Sequence, residues 1–393
     1  MPAPRRVDPE RYWSLAWAAR EASLWSRVWL PAAHEHRLVG PGAFVTTTVG
    51  GVDVLVLRGD DGVLRAFRNA CAHRGRRLVE ASHGTLEGGL RCPLHHWSYG
   101  LDGRVSDVPS RGSFGGLADG AGLCALPCEA WCGHVFVHLG EPEETLAAWL
   151  APLEAGLSRH RLDDLALVDV KTFALACNWK TIADLFNEAY HVPAVHPYLL
   201  GSVDPASVRS AIHGPHVEQT FAIGRPAAGQ SPTEVTDSLR DLVRDVGADP
   251  AALAGDATNA PGLIREALRA RGLTELGDDE LLEGKSWYVF PALTLNVYPH
   301  GAQVHRPRPD PRDPERCWLD QLTFARLGGT ERPAIRVSSY DGIAEGSGRV
   351  TEDDLAEAIE VQRGLRSARE LLVGEREAAL AHMHDELERH LGE

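Results

Sequence analysis

Between Cys71 and Trp97 the chain reads "CAHRGRRLVEASHGTLEGGLRCPLHHW", with two cysteines and four histidines. Cys71-Ala-His73 and Cys92-Pro-Leu-His95 stand eighteen residues apart, and each half offers one thiolate and one imidazole. A structural zinc site more often takes both cysteines from one knuckle and both histidines from another. A two-iron cluster with two Cys on one iron and two His on the other suits this alternation better, because two loops then each touch both irons. Gly75, Gly84, Gly88 and Gly89 suit tight loops whose N–H groups approach the sulfurs. His83 and His96 do not fit the ligand spacing and read as loop histidines.

The second constellation is "NWKTIADLFNEAYHVPAVHP", Asn178 to Pro197. Read as one helix stopped near Pro193, it sets Asp184, Glu188 and His191 at i, i+4 and i+7 on one face, with His196 just beyond. This is not H-E-x-x-H, so a zinc protease is disfavoured. Two neutral imidazoles plus one carboxylate suit a non-haem iron(II) facial triad with open positions. The carboxylate has two candidate sources. Glu188 is local. The run Glu352-Asp353-Asp354 is remote and opens a C-terminal helical stretch.

The surrounding texture says what must hold these groups. Residues 8–30 carry apolar residues at helical spacing. From about 40 to 140, short β-rich runs ("AFVTTTV", "VDVLVLR", "LRAFRN", "HVFVHL") alternate with Gly-rich turns and predict a small antiparallel β domain. Residues 143–165 read as helical, "ALVDVKTFAL" as a strand, and 232–284 as helical and loop-rich. "SWYVFPALTLNVYP" and "CWLDQLTFARL" read as a β-hairpin pair joined by the Pro-rich "HRPRPDPRDPER". The last forty residues are one long helix or two. The chain has 393 residues, a net charge of −15, 44% hydrophobic residues and scattered Lys and Arg, which excludes nucleic acid and anionic membrane as partners. No apolar run reaches membrane-span length, and seven cysteines in so long a chain point to metal chemistry in a reducing, cytoplasmic compartment rather than to disulfides.

"VLRAFRNACAHRGRRL" and "RCPLHHWSYGLDGRV" together resemble the Rieske domain of ring-hydroxylating oxygenases, with its C-x-H…C-x-x-H signature. The resemblance implies Cys71, His73, Cys92 and His95 as ligands of a Rieske [2Fe–2S] cluster. One departure is His96, where the family usually has Gly. "NWK…EAYHVPAVH" resembles the same family's N-W-K…(D/E)-x-Y-H-x4-H pattern, which implies His191 and His196 as iron ligands. The family's third ligand is an Asp entering a late helix that often ends in Q-R-G-L. Counting back from Gln362 in "EDDLAEAIEVQRGLRS" places it at Asp354, with Asp353 as the alternative register. Glu188 takes the position of a bridging carboxylate, thought to link a Rieske histidine of one subunit to an iron-binding histidine of the next. Many members have Asp there, and Glu is similar to the branch that oxidises quaternary ammonium and other methylated amines. Asp184 stands where the family often has Asn and is implied to support the site through hydrogen bonds.

The resemblance spans nearly the whole chain and sets these expectations. The fold is α+β: residues 1–39 an N-terminal helical segment packing on the catalytic domain, 40–142 a small all-β Rieske domain, and 143–393 a helix-grip-like catalytic domain with an antiparallel sheet and a long C-terminal helix. The protein is a terminal oxygenase, a Rieske-type mono- or dioxygenase that uses O2 to hydroxylate a small organic substrate at mononuclear Fe(II). Mono-oxygenation or demethylation is favoured over aromatic cis-dihydroxylation. Without G-x-G-x-x-G after a strand, electrons come from a separate NAD(P)H-dependent reductase, with a ferredoxin as an option. Transfer across a subunit boundary implies a homotrimer. Two other classes stand beside this: a Rieske electron carrier without oxygenase activity, and a zinc protein. Leu185, Phe186, Val192, Phe221, Val289 and Leu295 are candidate pocket residues. Cys124, Cys128, Cys132, Cys177 and Cys317 read as small buried residues, and "HMHDELERH" as a solvated helix face.

Overall fold

The structure, a computed structural model, describes residues 4–115, 121–327 and 332–392. The chain divides into two compact units, Arg20–Ala151 and a larger one made of Met1–Ala19 with Pro152–Glu393. Among the described residues no helix is long and apolar enough to cross a membrane.

The smaller unit is all antiparallel sheet apart from short helical turns. Ala43–Val49, Val52–Arg58 and Leu64–Arg68 form a meander, extended at its edges by His83–Thr85 and Ala125–Leu126. Trp29–His34, His134–His138 and Cys128–Trp131 form a second sheet, and Leu90–Arg91, Ser98–Tyr99 and Val105–Asp107 a third. The helical reading of residues 8–30 is corrected here. The α-helix covers only Leu15–Glu21, and Trp29–His34 is a strand paired with His134–His138. Its helical spacing of apolar residues is overridden by that pairing partner, which lies a hundred residues away. The pairing also places residues 20–39 with the β unit, so only Met1–Ala19 joins the larger one. The core gathers Phe44, Leu55, Leu57, Phe67, Trp97 and Tyr99 around Cys71 and Cys92.

The larger unit is built on eight strands in the order Val203–His213, His216–Ile223, Glu283–Val289, Leu293–Tyr298, Gly301–Pro309, Cys317–Arg326, Leu165–Leu175, Arg336–Asp341. All neighbours are antiparallel except the last pair. Half of the Pro-rich "HRPRPDPRDPER" is therefore strand rather than loop. Pro307 and Pro309 lie beyond His305, the last residue paired with Leu293–Tyr298, so on that side their missing N–H groups cost no ladder bond. The final forty residues are two helices, Arg349–Leu365 and Ala378–Leu391, split by a strand Leu371–Val373 that pairs with Arg5–Val7.

A buried charge cluster locks the central strands. Asp320 is 4% exposed and accepts from Arg308 Nε at 2.6 Å, Arg306 Nε at 3.0 Å and Thr172 Oγ1 at 2.7 Å. Burial pushes this carboxyl up, but the two guanidinium groups outweigh it and hold it well below the usual carboxylate range. Asp320→Ala is expected to cost about 3–5 kcal/mol, because it removes the buried anion that two half-buried guanidinium groups share. A urea unfolding curve with an unchanged slope and a lowered midpoint checks this.

Candidate metal centres

In the smaller unit two loops of matching geometry carry the first ligand set. The Cys71 N–H donates to Arg76 O at 2.8 Å, and the Gly75 N–H to Cys71 O at 2.8 Å. The Cys92 N–H donates to Trp97 O at 2.8 Å, and the His96 N–H to Cys92 O at 2.9 Å. Each loop thus turns at the fourth residue after its cysteine. Those residues are left-handed, Gly75 at φ +71° and His96 at φ +60°. This accounts for the family's glycine: the turn asks for positive φ, which glycine adopts freely and histidine does not. Of the four glycines expected to shape these loops, only Gly75 does so. Gly84, Gly88 and Gly89 lie in or beside the strands that connect them. His96→Gly is expected to stabilise the protein by roughly 0.5 kcal/mol, strain relief of about 1–2 kcal/mol set against glycine's larger unfolded-state entropy. A rise in the chemical-denaturation midpoint would show it.

The thiols sit inside and the imidazoles outside. Cys71 and Cys92 are 3% and 1% exposed, whereas His73 is half-buried and His95 exposed. The His73 and His95 rings stand 4.7 Å apart, and His73 stacks on Trp97 at 5.1 Å. Tyr99 Oη accepts from the Ala72 N–H at 3.1 Å and shares a hydrogen bond with Cys71 Sγ at 3.0 Å. Burial pushes the Cys92 thiol up, but the N–H groups of Leu94 and His95 and the Cys71 thiol outweigh it, and the net shift is downward. Two buried thiols and two imidazoles at the rim suit a cluster with mixed Cys and His ligation. Cys124 is exposed and Cys128 and Cys132 half-buried, contrary to the expectation that all three are buried. Cys177 and Cys317 are buried in the larger unit.

In the larger unit the motif helix is shorter than its pattern suggests. It runs Trp179–Phe186 and stops at Asn187. Asn187 is fully buried, its amide donating to Ala183 O at 2.5 Å and accepting from Thr294 Oγ1 at 3.2 Å, which takes up bonds a further turn would need. Pro193 does not end this helix; it opens the next one, Val192–Val195. Asp184, Glu188 and His191 therefore do not share a helical face. A tight turn brings the last two together: Glu188 Oε2 accepts the His191 N–H at 3.1 Å, and its Oε1 lies 2.5 Å from His191 Nδ1. Asp184 bonds Tyr12 Oη at 2.5 Å and faces His384 Nε2 at 3.5 Å, away from both His191 and His196. His384 is fully buried, so "HMHDELERH" presents a packed face, not a solvated one.

The remote carboxylate arrives by a specific tie. Gln362 Oε1 accepts the Asn178 N–H at 2.9 Å and the Thr181 hydroxyl at 3.1 Å, fastening helix Arg349–Leu365 to the first motif. Asp354, Ala358 and Gln362 fall at i, i+4 and i+8, all buried. Asp354 Oδ1 then lies 2.7 Å from His196 Nε2 and 3.5 Å from His191 Nε2. One donor atom from each of His191, His196 and Asp354 lies within 4.8 Å of the others. Asp353 lies on the other side of His196, its Oδ2 3.6 Å from Nδ1: the Tyr198 hydroxyl donates to that Oδ2 at 2.8 Å and accepts from His196 Nδ1 at 3.1 Å. Both imidazoles thus have Nδ1 engaged and Nε2 directed at one carboxylate, a donor set that fits a divalent iron. Burial pulls His191 down, but Glu188 and then Asp354 outweigh it, and its net shift is upward.

A cavity of about 180 Å³ adjoins these three residues. Leu185, Phe186, Val192 and Phe221 line it, as expected. Val289 and Leu295 do not; Ser286 and Asn296, their neighbours on the same strands, line it instead, because successive strand residues point to opposite faces. Tyr198, Asn187, Gln362 and Tyr12 are the supporting residues that sequence reasoning missed. Asn187 lies inside the Asn178–Pro197 motif, Tyr198 just after it and Gln362 in the late-helix pattern; Tyr12 stands near none of them.

A β unit offering two thiols and two imidazoles, and a sheet-and-helix unit offering two imidazoles and a carboxylate, define a Rieske-type two-domain iron protein. Residues 28–125 match the Rieske [2Fe-2S] domain, and residues 159–393, more than half the chain, match the ring hydroxylating alpha subunit (catalytic domain). The chain belongs to this ring-hydroxylating alpha-subunit family. It is similar to the carnitine monooxygenase oxygenase subunit of Acinetobacter pittii, 29% identical over 56% of this chain and 59% of that one. It is also similar to the glycine betaine monooxygenase oxygenase subunit of Pseudomonas aeruginosa, 32% identical over 45% of this chain and 41% of the other. These matches thus span about half the length of those relatives. The fold is shared with a solved quaternary ammonium Rieske monooxygenase at a TM-score of 0.74 and 19% identity, covering 99% of this chain and 96% of that one.

Proposed function

We propose that the protein is the terminal oxygenase of a multicomponent system, carrying out mono-oxygenation, with demethylation as its outcome. The observation that carries this is the convergence of His191, His196 and Asp354 beside a largely apolar cavity in a chain that also has a Rieske domain. The proposed ligands are Cys71, His73, Cys92 and His95 for the cluster and His191, His196 and Asp354 for the mononuclear iron. When bound, the two groups would supply dioxygen activation fed by electrons stored singly in the cluster.

The residues of the chain prepare that chemistry. Glu188 holds His191 Nδ1, and Tyr198 with Asp353 holds His196 Nδ1, so each Nε2 is presented at a set angle. Leu185, Phe186, Val192 and Phe221 exclude water from the reacting end of the substrate. Glu188 is also proposed as the carboxylate that meets a Rieske histidine of a neighbouring subunit in a homotrimer. A separate NAD(P)H-dependent reductase, directly or through a ferredoxin, supplies electrons in a cytoplasmic setting. Similarity to two monooxygenase subunits supports mono-oxygenation over cis-dihydroxylation.

The test is a substrate screen by mass spectrometry with a surrogate reductase and labelled oxygen. Release of formaldehyde carrying the one inserted oxygen atom is expected, with no label in the demethylated product. Iron content limited to the cluster, with no oxygen uptake under any reducing partner, would sink the proposal in favour of an electron carrier. A colourless protein would mean zinc.

A further inference from the structure

Strand register lays a polar floor in the cavity beside the triad. Gln219 stands opposite Ser286, Ser286 opposite Asn296, and Asn296 opposite Gln303, across four neighbouring strands. All four line the cavity. His305, two residues beyond Gln303 and so on the same face, lines it too. The Gln321 amide donates to His305 Nε2 at 3.2 Å and to Thr351 Oγ1 at 2.9 Å. With Nε2 accepting, the ring proton sits on Nδ1. Burial pushes His305 down to about 3, so the ring is neutral. It lies flat on Phe186, with ring centroids 4.0 Å apart and 9° between planes.

Two lining residues each carry a buried polar atom without a partner inside the protein, Ser286 Oγ and His305 Nδ1. A buried polar group left unsatisfied costs about 1–3 kcal/mol, so this end of the cavity favours neutral hydrogen-bonding groups over apolar ones. No Lys or Arg is among the described lining residues, and both lining carboxylates, Glu188 and Asp354, are engaged with His191 and His196. Within this cavity a carboxylate on the substrate would meet no cationic side chain, and an ammonium group no free anion; Arg349, Asp237, Asp241 and Asp245 line the adjoining space instead. Phe186 already has one face covered by His305.

We infer that the substrate is a small uncharged molecule, an apolar body bearing an amide, hydroxyl or similar neutral group, seated on Gln219, Ser286, Asn296, Gln303 and His305. This deepens the oxygenase reading and rests on it. It separates the chain from substrates such as carnitine and glycine betaine, which both carry a carboxylate.

The test compares three probes of similar shape on the iron-loaded protein by titration calorimetry: 4-methoxybenzamide, 4-methoxybenzoate and trimethyl(4-methoxyphenyl)ammonium. The amide is expected to bind roughly tenfold or more tightly than either ion, the ratio that about 1.4 kcal/mol of unpaired charge produces. Gln303→Arg, at a half-buried position, is expected to reverse the order of amide and carboxylate. Ions binding as tightly as the amide, or no binding of the amide at all, would overturn the inference. Binding of the amide without formation of an oxygenated product under a reductase and O2 would leave the cavity assignment standing and defeat the oxygenase reading.

Discussion

Asp354→Ala is expected to remove the mononuclear iron while leaving the red-brown cluster in place. Asp354 is 3% exposed, and its Oδ1 faces both imidazoles. Without it the site keeps two neutral nitrogens and no free anionic donor nearby, since Glu188 is committed to His191. Loss of a supporting contact at a metal site typically costs 10–100-fold, so loss of the ligand itself should lower product formation by more than about 100-fold. Metal analysis per chain, alongside the visible spectrum, separates this from unfolding. Asp353→Ala is the informative control. It removes only the acceptor behind Tyr198, so iron should stay and activity should fall by about tenfold at most. A third iron retained by Asp354→Ala would remove Asp354 from the ligand set.

Cys92→Ser should bleach the protein. Cys92 is 1% exposed and held in the core of the smaller unit, with its loop closed by the Trp97 carbonyl. Serine keeps the shape but is a poor thiolate substitute, so both cluster irons should be lost together with the visible absorption. Reductase-driven turnover should fall to background, while His191, His196 and Asp354, in the other unit, still bind iron. Part of the cluster's binding energy is folding energy, so the β unit should also melt earlier. A coloured Cys92→Ser protein, or undiminished turnover, would argue that Cys92 is not a ligand.

Much of the first candidate centre was legible because its candidate ligands are local. Cys71, His73, Cys92 and His95 sit within one stretch, and spacing alone separates them from His83 and His96. His96 was legible only as an anomaly. Its left-handed φ and its equivalence to Gly75 appear once both loops are seen to close with the same two hydrogen bonds. The second motif was legible as residue types, yet its geometry was misread. A helical pattern through Glu188 and His191 is broken by the buried amide of Asn187, and nothing in the spacing reveals that.

The sequence by itself determined the chemistry: which residue types are present, in which order, and hence an iron–sulfur cluster and a second iron site. The hydrophobic alternation of the strands was equally local and determined the sheet-rich character of both units. The tertiary structure decided what depends on distant partners. It turned Asp354 toward the Nε2 atoms of both imidazoles and Asp353 toward Tyr198, because Gln362 fixes the rotation of a helix against Asn178 and Thr181. It turned Asp184 toward Tyr12 and His384, and it aligned Gln219, Ser286, Asn296 and Gln303 into one floor. Register and helix rotation arise from contacts between segments tens to hundreds of residues apart, and a shift of one residue in either would point a different side chain at the site.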